Sequence, residues 1–180
     1  MSVELNSCER RIWGVFGRVN NMNESMTRAI AHFDRVNNRK MKHALRGLVK
    51  IQKKVRRNLD TVAPLIPVDT GNARRSWYGV TGTGDVVNGV SPVFDDQNRD
   101  AAKLATGHKR QLAKAMTRAR INNGVKIVFG LSAYYAATIH EMYGATFRRR
   151  GAGAGFFNAS VNHGKRGWRR IIAEEMRKPS

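Results

Sequence analysis

A helix cannot run through Pro64-Leu65-Ile66-Pro67, because each proline lacks the N–H an interior turn needs and its ring collides with the carbonyl four residues back. These prolines therefore divide the chain. Upstream, over residues 26–60, Met41, Leu45, Leu48, Gln52, Val55 and Leu59 recur at three- and four-residue steps, with Ala44 and Ile51 alongside. Lys42, Arg46, Lys50, Lys53 and Arg57 fall on the opposite side. That spacing predicts a long helix with one packing face and one cationic stripe, N-capped by Asn23 or Ser25. Downstream, Val68-Asp69-Thr70-Gly71-Asn72-Ala73-Arg74-Arg75-Ser76-Trp77 leads into the first strand-like run. There Asp69 or Thr70 can cap a short helical turn through a side-chain oxygen, and Gly71 permits the tight reversal.

The rest of the chain reads as mixed elements. Arg10–Val19 is rich in β-formers and holds two glycines, which predicts a short strand and makes residues 1–25 an N-terminal arm or edge strand. Ser76–Thr81 and Val86–Phe94 read as strands of a hairpin closed by the Gly-Thr-Gly-Asp loop. Residues 98–121 read as a second amphipathic helix, with Ala101, Ala105, Leu112, Met116 and Ala119 on one side and Lys103, Arg110, Lys114 and Arg118 on the other. In Val125–Leu131, Val125, Ile127, Phe129 and Leu131 alternate inward, the pattern of a half-buried strand. Tyr134–Met142 reads as a short helix closed by Gly144. Phe156 and Phe157 open a C-terminal helical region that Gly164 and Gly167 split in two. Without a regular strand-helix-strand order, the class is α+β: one domain over residues 1–180, with a small antiparallel sheet packed against the long helix and additional C-terminal helices. Residues 94–123 read as a basic helical segment. Arg148–Gly155, three arginines followed by alternating Gly and Ala, is expected to be a flexible loop.

The net charge of +20, from 33 Lys and Arg against 13 Asp and Glu, exceeds what solubility needs and implies acidic partners. It is concentrated in residues 31–60, 101–123 and 148–180, whereas residues 61–100 carry more acid than base. One cysteine, Cys8, excludes an internal disulfide, and no apolar run is long enough to span a bilayer. The N-terminus, with Glu4 and Glu9, lacks the basic start of a signal peptide, so synthesis in the cytoplasm is expected. Catalytic patterns are missing. His140-Glu141 would need a second histidine four residues after the first to share a zinc ion, and Gly144 stands there. An aspartic-protease dyad needs two such carboxylates in an apolar β-protein, but here a long helix precedes Asp69. No cofactor or metal site is expected. Sequence-independent phosphate contact through the basic segments stays open, since neutralising phosphates requires no base-reading geometry.

The order Pro67, Asp69-Thr70-Gly71, Arg74 and Ser76, followed by Val128-Phe129-Gly130-Leu131-Ser132-Ala133-Tyr134-Tyr135-Ala136 and then Glu141 and Gly144, resembles a family of small tailed-phage proteins. These are the head-tail joining (neck) or tail-completion components of lambda-like phages. The resemblance covers roughly residues 28–178 and implies that the basic helical segment 94–123 is an insertion, which a minimal member would lack. It implies a non-enzymatic virion protein forming a ring, a hexamer in the family's pattern, between the head connector and the tail tube or its terminator. Such a protein would sit at the head-tail interface of the virion and in the host cytoplasm during assembly. Pro67, Asp69, Thr70, Gly71, Arg74 and Ser76 would then form a structural turn. Lys103, Arg110, Lys114, Arg118, Arg148, Arg149 and Arg150 are the candidate contacts to DNA or an acidic partner. The alternative is a non-specific nucleic-acid-binding protein whose charge is its function.

Overall fold

The computed structural model describes residues 7–69, 71–83, 85–86, 92–95, 100–120 and 125–179, with side chains from residue 25 onward. The elements are α1 (Ser7–Thr61), α2 (Asn72–Arg75), β1 (Trp77–Thr81), α3 (Ala101–Arg120), β2 (Ile127–Leu131), α4 (Ala136–Glu141) and α5 (Phe156–Met176). The chain divides into two compact units, Met1–Met41 and Lys42–Ser180.

The first unit holds the N-terminal part of α1. Residues 10–19 are helical, not a strand, and Asn23 and Ser25 lie inside the helix instead of capping it. The physical reason is cooperativity. Once a helix exists, each added residue gains a hydrogen bond, and an interior glycine subtracts only about 1 kcal/mol. A lone strand, by contrast, would leave its backbone groups without partners. Met26, Ile30 and Phe33 are all exposed.

The second unit is built on a two-stranded antiparallel sheet in which Trp77 opposes Leu131, Gly79 opposes Phe129 and Thr81 opposes Ile127. Both sheet faces are covered. On one, Trp77, Phe129 and Leu131 pack with Ile51, Val55 and Leu59 of α1, Ile66, and Phe156 of α5. On the other, Tyr78, Val80 and Val128 meet Leu112, Ala115, Met116 and Ala119 of α3. The expected one-sided alternation over residues 125–131 is therefore replaced by partial burial along β2. Leu59 is wholly buried, and at such a site truncation to Ala costs about 2–5 kcal/mol. Gln52, which spacing puts on the apolar face of α1, is fully buried as well.

The α+β architecture follows: a small antiparallel sheet packed against the long helix, with further helices C-terminal to it. The partner of β1 is β2, not residues 86–94. Val86 makes a single bridge to Val80, residues 87–91 lie outside the described residues, and Val93–Asp95 have no regular structure. Phe94 is buried against Leu104, Ala133 and Ala136.

The C-terminal helix α5 is one piece through Gly164 and Gly167. It lies antiparallel along α1 within this unit. Gly47 stands so close to it that an added Cβ would come within 3.1 Å of the Ile172 Cα. Further along, the Asn58 amide donates to the Ser160 carbonyl at 2.9 Å. Packing of this kind outweighs the roughly 1 kcal/mol helix penalty of each glycine. Lys50 and Lys178 both donate to the Glu175 carboxylate, which lies 4% exposed between them. The lysines, Lys178 foremost, hold the Glu175 pKa down to about 2.

Candidate functional site

The last turn of α1 carries Asp60, whose carboxylate collects three guanidinium groups. Arg56, one turn earlier, donates Nη1 to Oδ2 at 3.0 Å. Arg74, in α2, donates Nε to the same oxygen at 3.0 Å. Arg149, brought in from far along the chain, donates Nη1 to Oδ1 at 3.2 Å. Arg149 also donates to the main-chain carbonyls of Asp60 and Ile66, each at 3.1 Å. A helix leaves its last carbonyls without intrahelical partners, and a cation there meets the negative end of the helix dipole. Arg149 thus closes the C-terminus of α1 and fixes the chain that leaves it.

This geometry overturns the mobile loop expected over residues 148–155. The Leu65 N–H donates to the Gly151 carbonyl at 2.8 Å, the Gly153 N–H returns to Leu65 at 3.3 Å, and the Gly155 N–H bonds to the His140 carbonyl at 2.8 Å. Glycine and arginine cannot build a core, but here they lie against one already built and find backbone partners on it. Arg149 is accordingly unsuited to contact DNA or an acidic partner, because Asp60 and two carbonyls already hold it. Arg150 is exposed.

The Asp-Thr-Gly turn itself differs from expectation in its chemistry. Gly71 is the N-cap of α2, with φ 79°, a conformation glycine adopts readily, and no side chain caps the helix. Asp69 instead accepts a hydrogen bond from Arg148 Nη1 at 2.9 Å across an exposed surface. Thr70 lies outside the described residues. Pro67 is buried, and Ser76 Oγ donates to the Ala73 carbonyl at 2.7 Å. Beside the turn is a pocket of about 260 Å³, walled by Pro67, Asp69, Gly71 and Asn72 from the first motif, by Tyr135 and Ile139 from the region of the second, and by Arg148 beyond it. Two stretches more than 60 residues apart in sequence therefore meet at one place.

Sequence reasoning missed a buried polar chain behind this turn. The Ser76 carbonyl accepts from the Ser132 N–H at 2.9 Å and from Ser132 Oγ at 3.0 Å. Ser132 Oγ lies 2.7 Å from His108 Nδ1. With the hydroxyl proton directed at the carbonyl, the imidazole N–H is the donor in the His108–Ser132 bond. The histidine is therefore not set as a base for that serine, and burial lowers its pKa. The three residues tie α3 to both strand ends. No local spacing signals them, since they come together only when α3 docks on the sheet. His140 is also occupied: Phe157 N–H points at its Nδ1 at 3.4 Å, and its ring stands edge-on to Phe156. Among the described residues there is no cluster of three metal-ligating side chains, and no helix long and apolar enough to cross a membrane.

The outer side of α3 is of a different kind. Lys103, Lys109, Arg110, Lys114, Arg118 and Arg120 are exposed, and the helix carries no acidic residue. Among the described residues none of them forms an ion pair with a carboxylate; Lys103 sits 4.2 Å from the centre of the Tyr134 ring. A groove of about 520 Å³ runs between α3 and the Ser132–Tyr134 turn, with Lys103 and Arg110 on its walls. Of the expected contacts, Lys103, Arg110, Lys114 and Arg118 thus share one open basic face, while Arg148 and Arg149 belong to the clamped turn. Comparison with family models, curated proteins and solved structures finds no match to this chain.

Proposed function

We propose that the protein is a structural subunit of a tailed-phage virion, a head-tail joining or tail-completion component that forms a ring between the head connector and the tail. The observation that carries this reading is the ordered pair of motifs, Pro67-Val68-Asp69-Thr70-Gly71 with Arg74 and Ser76, then Tyr134-Tyr135-Ala136 with Glu141 and Gly144. Its support in the fold is the shared pocket at which Asp69 and Gly71 face Tyr135 and Ile139. On this reading no residue does chemistry and no cofactor is needed. The Asp60 cluster holds the turn rigid, and the basic face of α3 lines or faces the DNA channel. The partners are further copies of the chain, six in the pattern of the resemblance, together with the connector or adaptor and the tail-tube or terminator protein. Its place is the neck of the virion, and the host cytoplasm during assembly.

The runner-up, a non-specific nucleic-acid-binding protein, draws on the same α3 face. Salt separates the two. A ring of chains at +20 each is opposed by mutual repulsion, so raising salt strengthens ring formation. Simple DNA binding weakens steeply as salt rises, because counterion release loses its advantage. Light scattering across a salt series, with purified connector and separately with duplex DNA, reads both. Assembly with the connector that grows with salt supports the joining ring. A chain that never joins the connector, yet binds DNA tightly at low salt, leaves the runner-up.

A further inference from the structure

The N-terminal part of α1 carries a repeat that the fold of the second unit does not use. Ile12, Val19, Met26 and Phe33 recur every seven residues. Phe16, Asn23, Ile30 and Asn37 do the same, three or four residues out of step with them. In heptad terms the first set stands at d and the second at a, and the alternating steps of four and three hold from residue 12 to residue 37. The core-facing stretch of the same helix is different. Ala44, Leu48, Ile51, Val55 and Leu59 step by four, three, four and four, the longer period of a helix packed on a local core. A strict seven-residue repeat keeps facing a neighbour only if the helices wind about each other. It is the signature of a helix that packs against other helices along its length.

Over residues 26–33 the chain itself leaves the seam uncovered, while Val36 and Asn37 just beyond are half-buried. Met26, Ile30 and Phe33 are 60%, 58% and 64% exposed, on one face at i, i+4 and i+7. Charge then says what covers them. Over residues 12–37, the a, d, e and g positions hold one charged residue, Asp34. Arg18, Glu24, Arg28 and Arg35 all fall at b, c or f. In a chain of net charge +20, this is a surface on which two copies can meet without opposing their charges. An acidic partner would find nothing basic in it to read. Asparagine at a, as at Asn23 and Asn37, bonds best to the same residue of an identical helix in register, and it fixes that register at some cost in stability. The g positions Val15, Met22, Ala29 and Val36 are uncharged and apolar too. A stripe spanning a, d and g is broader than a two-helix seam requires, so each helix has material for two neighbours.

We infer that residues 12–37 of α1 form a self-association seam, through which three or more copies of this chain close into a helical bundle. This goes beyond the head-tail reading and does not depend on it, since it concerns the isolated protein alone.

The test is the mass of the purified full-length chain by sedimentation equilibrium, at roughly 0.5 M salt where repulsion is screened within a few Å. The comparison is between wild type, the double variant Ile30→Asp with Phe33→Asp, and Arg28→Asp at an f position. The expected wild-type mass is that of three or more copies. The double variant should associate about a hundredfold more weakly or worse, because each copy would bring two carboxylates into an apolar seam. Arg28→Asp should keep the wild-type mass. Near-ultraviolet circular dichroism, read in a Trp13→Phe background so that it reports Trp77 and Trp168 of the second unit, serves as the folding check, and for a double variant that failed it Phe33→Ser would take its place with the same expected loss. A wild-type mass of one or two copies at every concentration would overturn the inference. So would a folded seam variant that keeps the wild-type mass.

Discussion

The cations of the Asp-Thr-Gly turn and the cations of α3 differ in what surrounds them. At the turn, Arg56, Arg74 and Arg149 converge on one carboxylate that is only 19% exposed, and Arg148 reaches Asp69. Along α3, Lys103, Arg110, Lys114 and Arg118 face solvent over a helix without a single acid. A charge answered within its own chain rigidifies that chain. Charges left together on one face set up a field that an outside polyanion can answer. The lesson is that the same excess of arginine and lysine in a composition can be answered within the fold in one place and left facing solvent in another. Only the position of the few carboxylates tells them apart.

The sharpest way to break this division is Asp60→Ala. It leaves three guanidiniums facing one another and takes away one of the groups that hold Arg149, so a loss of about 3 kcal/mol is expected in urea unfolding. Removal of the cation instead, by Arg149→Met, keeps the aliphatic stem and loses three hydrogen bonds; about 2 kcal/mol is expected, together with faster tryptic cleavage at Arg148 and Arg150. If either change leaves the urea midpoint where it was, the turn is not clamped as described.

Acid sharpens the comparison elsewhere on the chain. Glu175 has its pKa lowered from about 4.5 to about 2, so its contribution is fully present above pH 4.5 and is lost as pH falls toward 2. Glu175→Gln should flatten the stability profile in that window, and an unchanged profile would contradict the lysine pair around it. His108 adds acid sensitivity higher up. Its folded pKa lies below 6.5, so the folded state resists the proton that the unfolded chain accepts, and stability declines as pH drops through 6.5. The variant His108→Gln should remove that decline. A much smaller effect belongs to Asp69→Ala, where both partners are exposed and about 0–1 kcal/mol is expected. The smallest are on α3, where replacing Lys103, Arg110, Lys114 or Arg118 singly by Gln should move stability by less than about 0.5 kcal/mol each.

What was legible in the chain was whatever repeats locally. The apolar steps from Leu48 to Leu59, the run Ile127–Leu131 and the prolines after Thr61 each carry their own signal, and each marks an element or boundary of the fold. What was not legible depends on partners distant in sequence. Residues 148–155 look mobile until Asp60 and Leu65 are known to lie beside them. Asp69 looks like a helix cap until Arg148 competes for it. Gly164 looks like a break until the neighbouring turns of α5 are set against Asn58. β1 looks like half of a local hairpin because its true partner lies some 50 residues downstream. The strand expected at Arg10–Val19 failed for the opposite reason, since side-chain preference was weighed there without the cooperativity of the helix already running through it.

The central proposal is that the α3 cations meet a polyanion, in contrast to the turn arginines, which are held within the fold. Its most direct test is the salt dependence of duplex DNA binding by three folded proteins: wild type, the α3 fourfold Gln variant and Arg149→Met. Each phosphate contact contributes about 0.9 to the slope of log affinity against log salt. The account predicts that the fourfold variant loses about 3 to 4 from that slope, whereas Arg149→Met keeps the wild-type slope despite its lower stability. A slope that falls for Arg149→Met, or one unchanged in the α3 variant, would contradict it.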